Sequence, residues 1–452
     1  MYMKKLVQVF LPVLRGFLVC AAVLQIVPGI VYIGKNFMAV PQFRDTTIYL
    51  EMSERFVVDE YTGILYPLLV KLCKSISFLP YQIPIYILHL SAGVYSVYHF
   101  ARTWTEQKLP AFMCALWINT IPFVAQAHVT VLPHSLAMTC LILMSLQVLK
   151  GSVQRRRLTI MEWAELWCSF IILAQLDRAY LLPGIILAVW GVFLQFYNMT
   201  HRVLLFSVSL LIGIGMVIVN LAIYDAVQTP GYYGRIQRTV SASFFQRTGV
   251  VTLKGKYRIY MPEEVQDSFT WEELDQISKY PYKIQNEFGP TLEARFGRER
   301  AEEIYFALGM LGLATATKDN AVNIAEDVAS YVLPLGAYAT WQDGELKGAT
   351  SWNYQQFIHE APTFSVYYAK ICSFLWSILF GISLAICFVL GVCRKRWYTR
   401  IWLPAIGCVL IYAVYFAMSG TDVYDYKVAL LPMVMSCAPI CYLAFRYIFK
   451  ED

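Results

Sequence analysis

Long apolar runs constrain the fold of this chain more than any other feature of its sequence. About 20 predominantly apolar residues make a helix long enough to cross the hydrocarbon core of a bilayer. Ten such runs, in a chain that is 58% hydrophobic and 15% charged, predict an all-α polytopic membrane protein with about ten transmembrane helices. The predicted spans are roughly 9–33, 82–101, 109–127, 129–149, 160–176, 179–197, 203–224, 364–392, 401–418 and 428–447.

The same composition excludes several classes of protein. A soluble domain carries about 25% charged residues, so an ordinary cytosolic enzyme, a disordered chain and a soluble nucleic-acid binder all fit poorly. We therefore expect the bilayer as a partner and no nucleic acid. The first apolar run lacks a small-residue cleavage site followed by a soluble chain, so we interpret it as a retained span rather than a removed signal peptide.

Positive charge predicts the orientation of the spans. With the N-terminus inside, the inner segments hold fifteen Lys and Arg, whereas the short outer segments other than 61–79 hold five. Cytoplasmic loops collect positive charge, so both termini are expected in the cytoplasm. The stretch 61–79 holds Lys71 and Lys74 and is predicted to be an interfacial helix, because counting it as a span would place Arg155–Arg157 outside.

The long segment 226–362 is richer in charged residues than the rest of the chain. It holds 13 Lys and Arg and 17 Asp and Glu. Its apolar spacing predicts a helix over 298–316 with Ile304, Leu308 and Leu311 on one face, and a helix over 319–332 with one face formed by Val322, Ala325, Val328 and Val332. The predicted division is an N-terminal transmembrane module of seven spans at 1–225 with its first outer loop at 34–80, a large extracytoplasmic segment at 226–362 and a C-terminal module of three spans at 363–452.

Polar residues cluster at the outer ends of the predicted spans. The chain has no phosphate-binding Gly-rich loop, dinucleotide fingerprint or zinc motif, so this cluster is its strongest functional signal. Ionisable groups at such positions are costly and often functional. The candidates are Asp45, Tyr49, Glu51, Asp59 and Glu60 in the first outer loop, His128 and His134 at the third junction, Asp177, Arg178 and Tyr180 at the fifth, and Asp422, Asp425 and Lys427 at the ninth.

Simpler interpretations stand beside this functional one. Loop ends are polar in most proteins, which would account for Asp59 and Glu60 on their own. Asp177 and Arg178 fit a local ion pair at the start of a helix, and His134 fits a core or capping histidine.

The residues of the first outer loop carry a family resemblance. The stretch Asp45-Thr-Thr-Ile-Tyr-Leu-Glu-Met-Ser53, followed by Gly63-Ile-Leu-Tyr-Pro67, resembles the corresponding loop of GT-C-type glycosyltransferases, which include lipid A aminoarabinose transferases and protein O-mannosyltransferases. The stretch that begins at Leu132 resembles the opening of an internal span in these enzymes, and Tyr424–Pro432 resembles the entry into a late span. Here Leu132 and His134 replace charged residues of the family pattern, and the Tyr-Pro pair is contiguous.

The resemblance implies a membrane glycosyltransferase with a GT-C-like fold. Its donor would be a sugar on a polyprenyl phosphate in the outer leaflet of a bacterial cell membrane, and its acceptor a glycan, lipid or protein. Transfer would invert the anomeric carbon, with Asp45 as general base and Arg178, Lys427 and His134 at the donor phosphate. No cofactor is predicted firmly. A divalent metal held by Asp59 and Glu60, or by Asp422 and Asp425, is left open.

Two other functions also fit the sequence. A polysaccharide polymerase or ligase acting on polyprenyl-diphosphate glycans would use outer Arg and His residues, although it would more typically carry several arginines in large outer loops. A lipid or solute transporter, or a flippase, would instead show two similar halves and charges near midmembrane.

Overall fold

A computed structural model confirms the helical class of the chain. Helices account for 87% of the described residues, and the β-strands among them are the two of a short hairpin. Within the part of the chain that the structure describes, no helix combines the length and the apolarity needed to cross a membrane. The described residues are 2–38, 46–55, 63–103, 105, 107–153, 158–177, 180, 184–189, 191–192, isolated positions between 211 and 222, 240–279, 283–332, 340–342 and 345–347.

The chain folds as two compact units. Unit 1 comprises residues 1–227, 333–409 and 424–452, and unit 2 comprises residues 228–332 and 410–423. The predicted spans 364–392, 401–418 and 428–447 lie outside the described residues.

Unit 1 is built from helices joined by short connections. Those with defined bounds are α1 (Tyr2–Phe37), α2 (Thr46–Arg55), α3 (Leu65–Lys74), α4 (Gln82–Arg102), α5 (Lys108–Asn119), α6 (Pro122–His128), α7 (His134–Val153) and α8 (Ile160–Leu176). A hairpin of β1 (Thr340–Gln342) and β2 (Glu345–Lys347) also belongs to this unit and pairs Trp341 with Leu346 in antiparallel register.

Proline divides the third predicted span into two helices. The apolar run 109–127 forms α5 and α6, which are separated by Thr120 and Ile121. Pro122 stands in the first turn of α6, where its missing N–H leaves no helical hydrogen bond unmade. Pro133 directly precedes α7, so this helix begins at His134, five residues after the start of the predicted span 129–149.

Specific polar contacts fix neighbouring helices in unit 1. The Gln25 side chain of α1 donates to the Trp117 carbonyl at 2.9 Å and accepts from Trp117 Nε1 at 2.8 Å, which ties α1 to α5. Between α2 and α3, Lys74 contacts Glu54 at 2.9 Å. This contact lowers the pKa of Glu54, chiefly through the hydrogen bond from Lys74. The amphipathic α3 buries Tyr66, while Lys71 remains exposed.

Unit 2 encloses an aromatic and aliphatic core. The ring of Phe288 stacks on Phe245 at 5.0 Å and on Phe269 at 4.9 Å, and Tyr305 covers them from the longest helix of the unit. Its helices are α9 (Val240–Phe244), α10 (Glu263–Ser268), α11 (Trp271–Lys279), α12 (Gly289–Phe296), α13 (Arg298–Thr315) and α14 (Thr317–Val332), with π-helical turns at Phe245–Gly249 and Ile284–Phe288 and 3₁₀ turns at Val250–Leu253 and Gly255–Tyr260.

The two helices predicted in this segment are present. In α13 the predicted apolar face packs inward, with Ile304 and Leu308 buried and Leu311 against the same core. In α14 the predicted face behaves differently, because Val322 is 46% exposed. The side chain of Asn320 is buried there instead, and it donates to the Thr248 and Gly312 carbonyls at 3.0 Å.

Candidate functional site

A buried hydrogen-bond network centred on His128 joins four helices of unit 1. Asn119, the last residue of α5, donates from Nδ2 to the Ala115 carbonyl at 2.8 Å, so its Oδ1 faces the imidazole. His128 Nε2 therefore donates to Asn119 Oδ1 at 2.7 Å. In the neutral ring Nδ1 then accepts from the Ser135 hydroxyl of α7 at 2.8 Å. Both ring nitrogens are satisfied, and the imidazole is fully buried.

His89 of α4 extends this network towards α3. Its Nδ1 donates to the His128 carbonyl at 3.3 Å, which leaves Nε2 to accept from the Tyr66 hydroxyl at 3.4 Å. Tyr66 is fully buried, and this burial raises the pKa of its phenol well above the ordinary value. Tyr66 therefore stays a neutral donor. The result is a chain of polar groups from Tyr66 through His89 and His128 to Asn119.

A glycine on α4 makes room for this network. A Cβ at Gly93 would lie 2.4 Å from Asn119 Oδ1 and 2.6 Å from His128 Cε1. The hydrogen bond between Asn119 and His128 thus occupies the space that any other side chain at position 93 would need. Gly93 is therefore part of the site in a packing sense, although it supplies no functional group.

His134, the first residue of α7, makes a second buried contact. His134 Nδ1 lies 2.6 Å from the Tyr180 hydroxyl, and both side chains are buried. Tyr180 is positioned by its backbone N–H, which donates to the Asp177 carbonyl at 3.1 Å. Asp177 follows α8 in extended backbone and is only 4% exposed. Because His134 and Ser135 are adjacent, the His134–Tyr180 pair and the His128 network meet at the start of α7.

Gly63, within the first predicted outer loop, lies against the end of α8. The Gly63 N–H donates to the Leu176 carbonyl at 3.3 Å. A Cβ at Gly63 would lie 1.7 Å from the Gln175 carbonyl oxygen, so only glycine fits at this distance. The contact places Gly63, two residues before α3, beside the residue that precedes Asp177. Residues from three predicted junctions thus meet in one region of unit 1.

The helix α2 carries the described candidates of the first outer loop. Tyr49 is buried, and its ring meets Tyr66 edge-on at 5.1 Å, which connects α2 with the polar network. Thr46, the first residue of α2, is also buried, and its hydroxyl has no hydrogen-bond partner within the described part of the chain. Glu51 is exposed.

Seven predicted site residues lie outside the described residues, among them the predicted base Asp45, which directly precedes α2. The other six are Asp59, Glu60, Arg178, Asp422, Asp425 and Lys427. Among the described side chains, no group of three His, Cys, Asp or Glu is placed to hold a metal ion.

The sequence interpretation missed several members of the site because they carry no charge. Asn119 and Ser135 stand in or beside apolar runs. Because they are not ionisable, a prediction based on ionisable residues does not include them. The useful signal is an amide or hydroxyl side chain at the end of an apolar run, beside a histidine and a proline. Such a side chain has to be satisfied inside the fold.

The chain was compared with protein-family models, with curated proteins and with solved structures, and no match was found in any of the three comparisons.

Proposed function

We propose that the chain is an integral-membrane glycosyltransferase of the GT-C type that moves a sugar from a polyprenyl phosphate to an acceptor on the extracytoplasmic face. The meeting of three predicted outer junctions in one polar region carries this proposal. Gly63 represents the first outer loop, His134 the third junction, and Asp177 with Tyr180 the fifth. A catalytic loop needs such a fixed polar support at its ends.

The surface of unit 1 supports a lipid environment for these helices. On α1 one face presents exposed aliphatic side chains at helical spacing, including Val19 at 61% and Val27 at 55% exposed. Ile87 of α4 and Leu109 of α5 are also more than half exposed. Apolar stripes of this kind mark surfaces that contact lipid or protein. The proposed arrangement of about ten spans would cover them with lipid.

The proposed chemistry assigns a role to each polar group near the donor. Asp45 would remove the proton from the acceptor nucleophile as it attacks the anomeric carbon. Arg178 and Lys427 would stabilise the lipid phosphate as it leaves with the electron pair of the broken C–O bond. His134, held by Tyr180 at 2.6 Å, would add a hydrogen bond to that phosphate. The sugar would be transferred with inversion.

A transfer assay tests the proposal. Membranes containing the full chain are given a radiolabelled polyprenyl-phosphate sugar, and the label in acceptor material is counted. We expect Asp45→Asn to abolish transfer and leave the protein inserted, whereas Glu51→Gln should retain transfer because the Glu51 side chain is exposed. Full transfer by Asp45→Asn would remove the assigned base. Label released only from polyprenyl-diphosphate glycans would favour a polymerase or ligase.

The buried histidines favour transport as a second candidate function. A chain from Tyr66 through His89 to His128 could pass protons, and proton relays of histidines are typical of transporters. Reconstituted liposomes distinguish the two functions. Proton-coupled solute uptake that His128→Gln stops, without any sugar transfer, would replace the glycosyltransferase proposal.

A further inference from the structure

A groove of about 960 Å³ follows one face of α4 in unit 1. Ile87, Leu90, Val94 and Tyr98 recur at helical spacing along its floor. From Ile87 to Tyr98 the helix advances by eleven residues, or about 16 Å at 1.5 Å per residue. Apart from Ser91 and Lys108, those side chains lining the groove that the structure describes are aliphatic or aromatic.

The two ends of the groove differ in chemistry. Phe37, the last residue of α1, closes the end near Ile87, and its ring packs edge-on against Tyr86 at 5.9 Å. The other end is bordered by Lys108, the exposed first residue of α5. The first-turn N–H groups of α5 lie at the same end, and the Gln107 side chain does not cap them. An ammonium group beside a helix N-terminus attracts an anion.

The charged end of the groove is separate from the polar network. Lys108 and Asn119 are the first and last residues of α5, and they stand about 16 Å apart along the helix axis. The distribution of Lys and Arg predicts that the Lys108 end faces the cytoplasm. The proposed function places the donor phosphate at the opposite end of α5, where the polar network lies.

We propose that this groove binds a chain of an anionic phospholipid of the cytoplasmic leaflet, with the headgroup phosphate at Lys108. The inference rests on the membrane insertion included in the proposed function and adds a second lipid site to it. The apolar floor accepts the hydrocarbon, and the cation provides charge complementarity to the phosphate. A neutral lipid would fill the floor equally well, so headgroup charge is the property that distinguishes this site from general lipid contact.

Competition between two lipids tests the site. The full chain is purified in mild detergent with equal amounts of phosphatidylglycerol and phosphatidylcholine of the same chain length, and native mass spectrometry counts the lipid retained. We expect about a fivefold preference for phosphatidylglycerol in the wild type. Lys108→Gln should abolish the preference, and Lys108→Arg should keep it. Equal retention of both lipids by the wild type would overturn the proposal.

Two further variants locate the lipid. Lys71→Gln removes an exposed lysine on α3 that does not line the groove, and it should keep the wild-type preference. Loss of preference in that variant would show a general effect of charge and overturn the proposal. Val94→Trp should fill the groove and reduce retention of phosphatidylglycerol. Unchanged retention would place the lipid elsewhere.

The proposed function and this inference fail in different ways. A chain that is extracted from membranes without detergent would contradict the membrane insertion on which both depend. A chain that transfers sugar but shows no headgroup preference would contradict the lipid site alone. Lys108→Gln should leave sugar transfer measured in neutral lipid unchanged, because Lys108 lies about 16 Å from the polar network.

Discussion

Unit 1 and unit 2 distribute their polar side chains in opposite ways. Unit 1 buries His89 and His128 completely, while Val19 on α1 is 61% exposed. Unit 2 buries Phe288 and Tyr305 and keeps most of its described charged side chains, such as Arg300, at the surface, although Arg247 is buried. Burial of apolar rings is favourable when water is the alternative, which explains unit 2. A hydrogen-bonded polar network inside an apolar surface suits lipid surroundings, as proposed for unit 1.

The largest loss of stability is expected at the close backbone contact of Gly63 in unit 1. Gly63→Ala would place a Cβ 1.7 Å from the Gln175 carbonyl oxygen, so the two segments must separate. We expect destabilisation of about 4 kcal/mol or more, seen as loss of monodisperse protein after purification. Gly34→Ala is the matched control, because a Cβ there meets nothing within 4 Å. Equal yields of the two variants would contradict the meeting of the loop with α8.

The core of unit 2 gives the next largest effect. Phe288→Ala should destabilise the unit by about 3–5 kcal/mol, because the ring is fully buried and stacks on Phe245 and Phe269. Hydrogen exchange in peptides from α13 measures this locally in the full chain. Phe306→Ala removes a ring of the same type that is 53% exposed, and it should change protection by about 1 kcal/mol or less. A similar loss of hydrogen-exchange protection in both variants would contradict a core that is stabilised by the burial of apolar rings away from water.

The polar interior of unit 1 should respond to the loss of a single acceptor. Asn119→Leu keeps the volume but leaves His128 Nε2–H without its acceptor, which should cost about 1–3 kcal/mol. The measure is the temperature at which the detergent-solubilised protein aggregates. Asn36→Leu is the control, because the Asn36 amide donates only to Tyr32 in its own helix.

A double variant sharpens this prediction. Asn119→Leu combined with His128→Leu removes both partners of the hydrogen bond, so part of the lost stability should return. A double variant that is less stable than the sum of the two single variants would contradict the network as described.

The smallest effect concerns the surface charges of unit 2. Arg300 hydrogen-bonds Glu264 and thereby lowers the pKa of that carboxylate below its ordinary value of 4.5. A group with a depressed folded pKa stabilises the fold above its unfolded pKa, and this contribution is lost as pH falls through the folded pKa. Protection of α13 in hydrogen exchange should therefore decrease below about pH 4.5. Glu264→Gln should weaken that decrease, whereas Glu299→Gln on the exposed start of the same helix should not.

Much of the helical pattern could be predicted from local sequence. The apolar run 160–176 is α8, and Thr159 caps it in a reciprocal box with Glu162. The inward face of α13 also follows directly from the spacing of Ile304 and Leu308. Apolar period and capping residues are local properties, so a single sequence carries them.

The site was harder to predict because it depends on distant contacts. Position 63 lies far from position 175 in the chain, and only the fold shows why Gly63 has to be glycine. The run 109–127 looked continuous because Thr120 and Pro122 interrupt it without adding charge. Asn119 also carries no charge. Its role in the site comes from a hydrogen bond with His128, nine residues later in the chain.

The break between α5 and α6 has a consequence for how this region can change. Asn119 ends α5, His128 ends α6, and His134 and Ser135 begin α7, so these four polar side chains stand at helix termini, whereas His89 lies within α4. Substitutions or small insertions in the connections between these helices would alter the polar groups and leave the helix bodies and their packing in place. In a relative of this protein, changes in two short connections would therefore be enough to give this region a different set of polar groups.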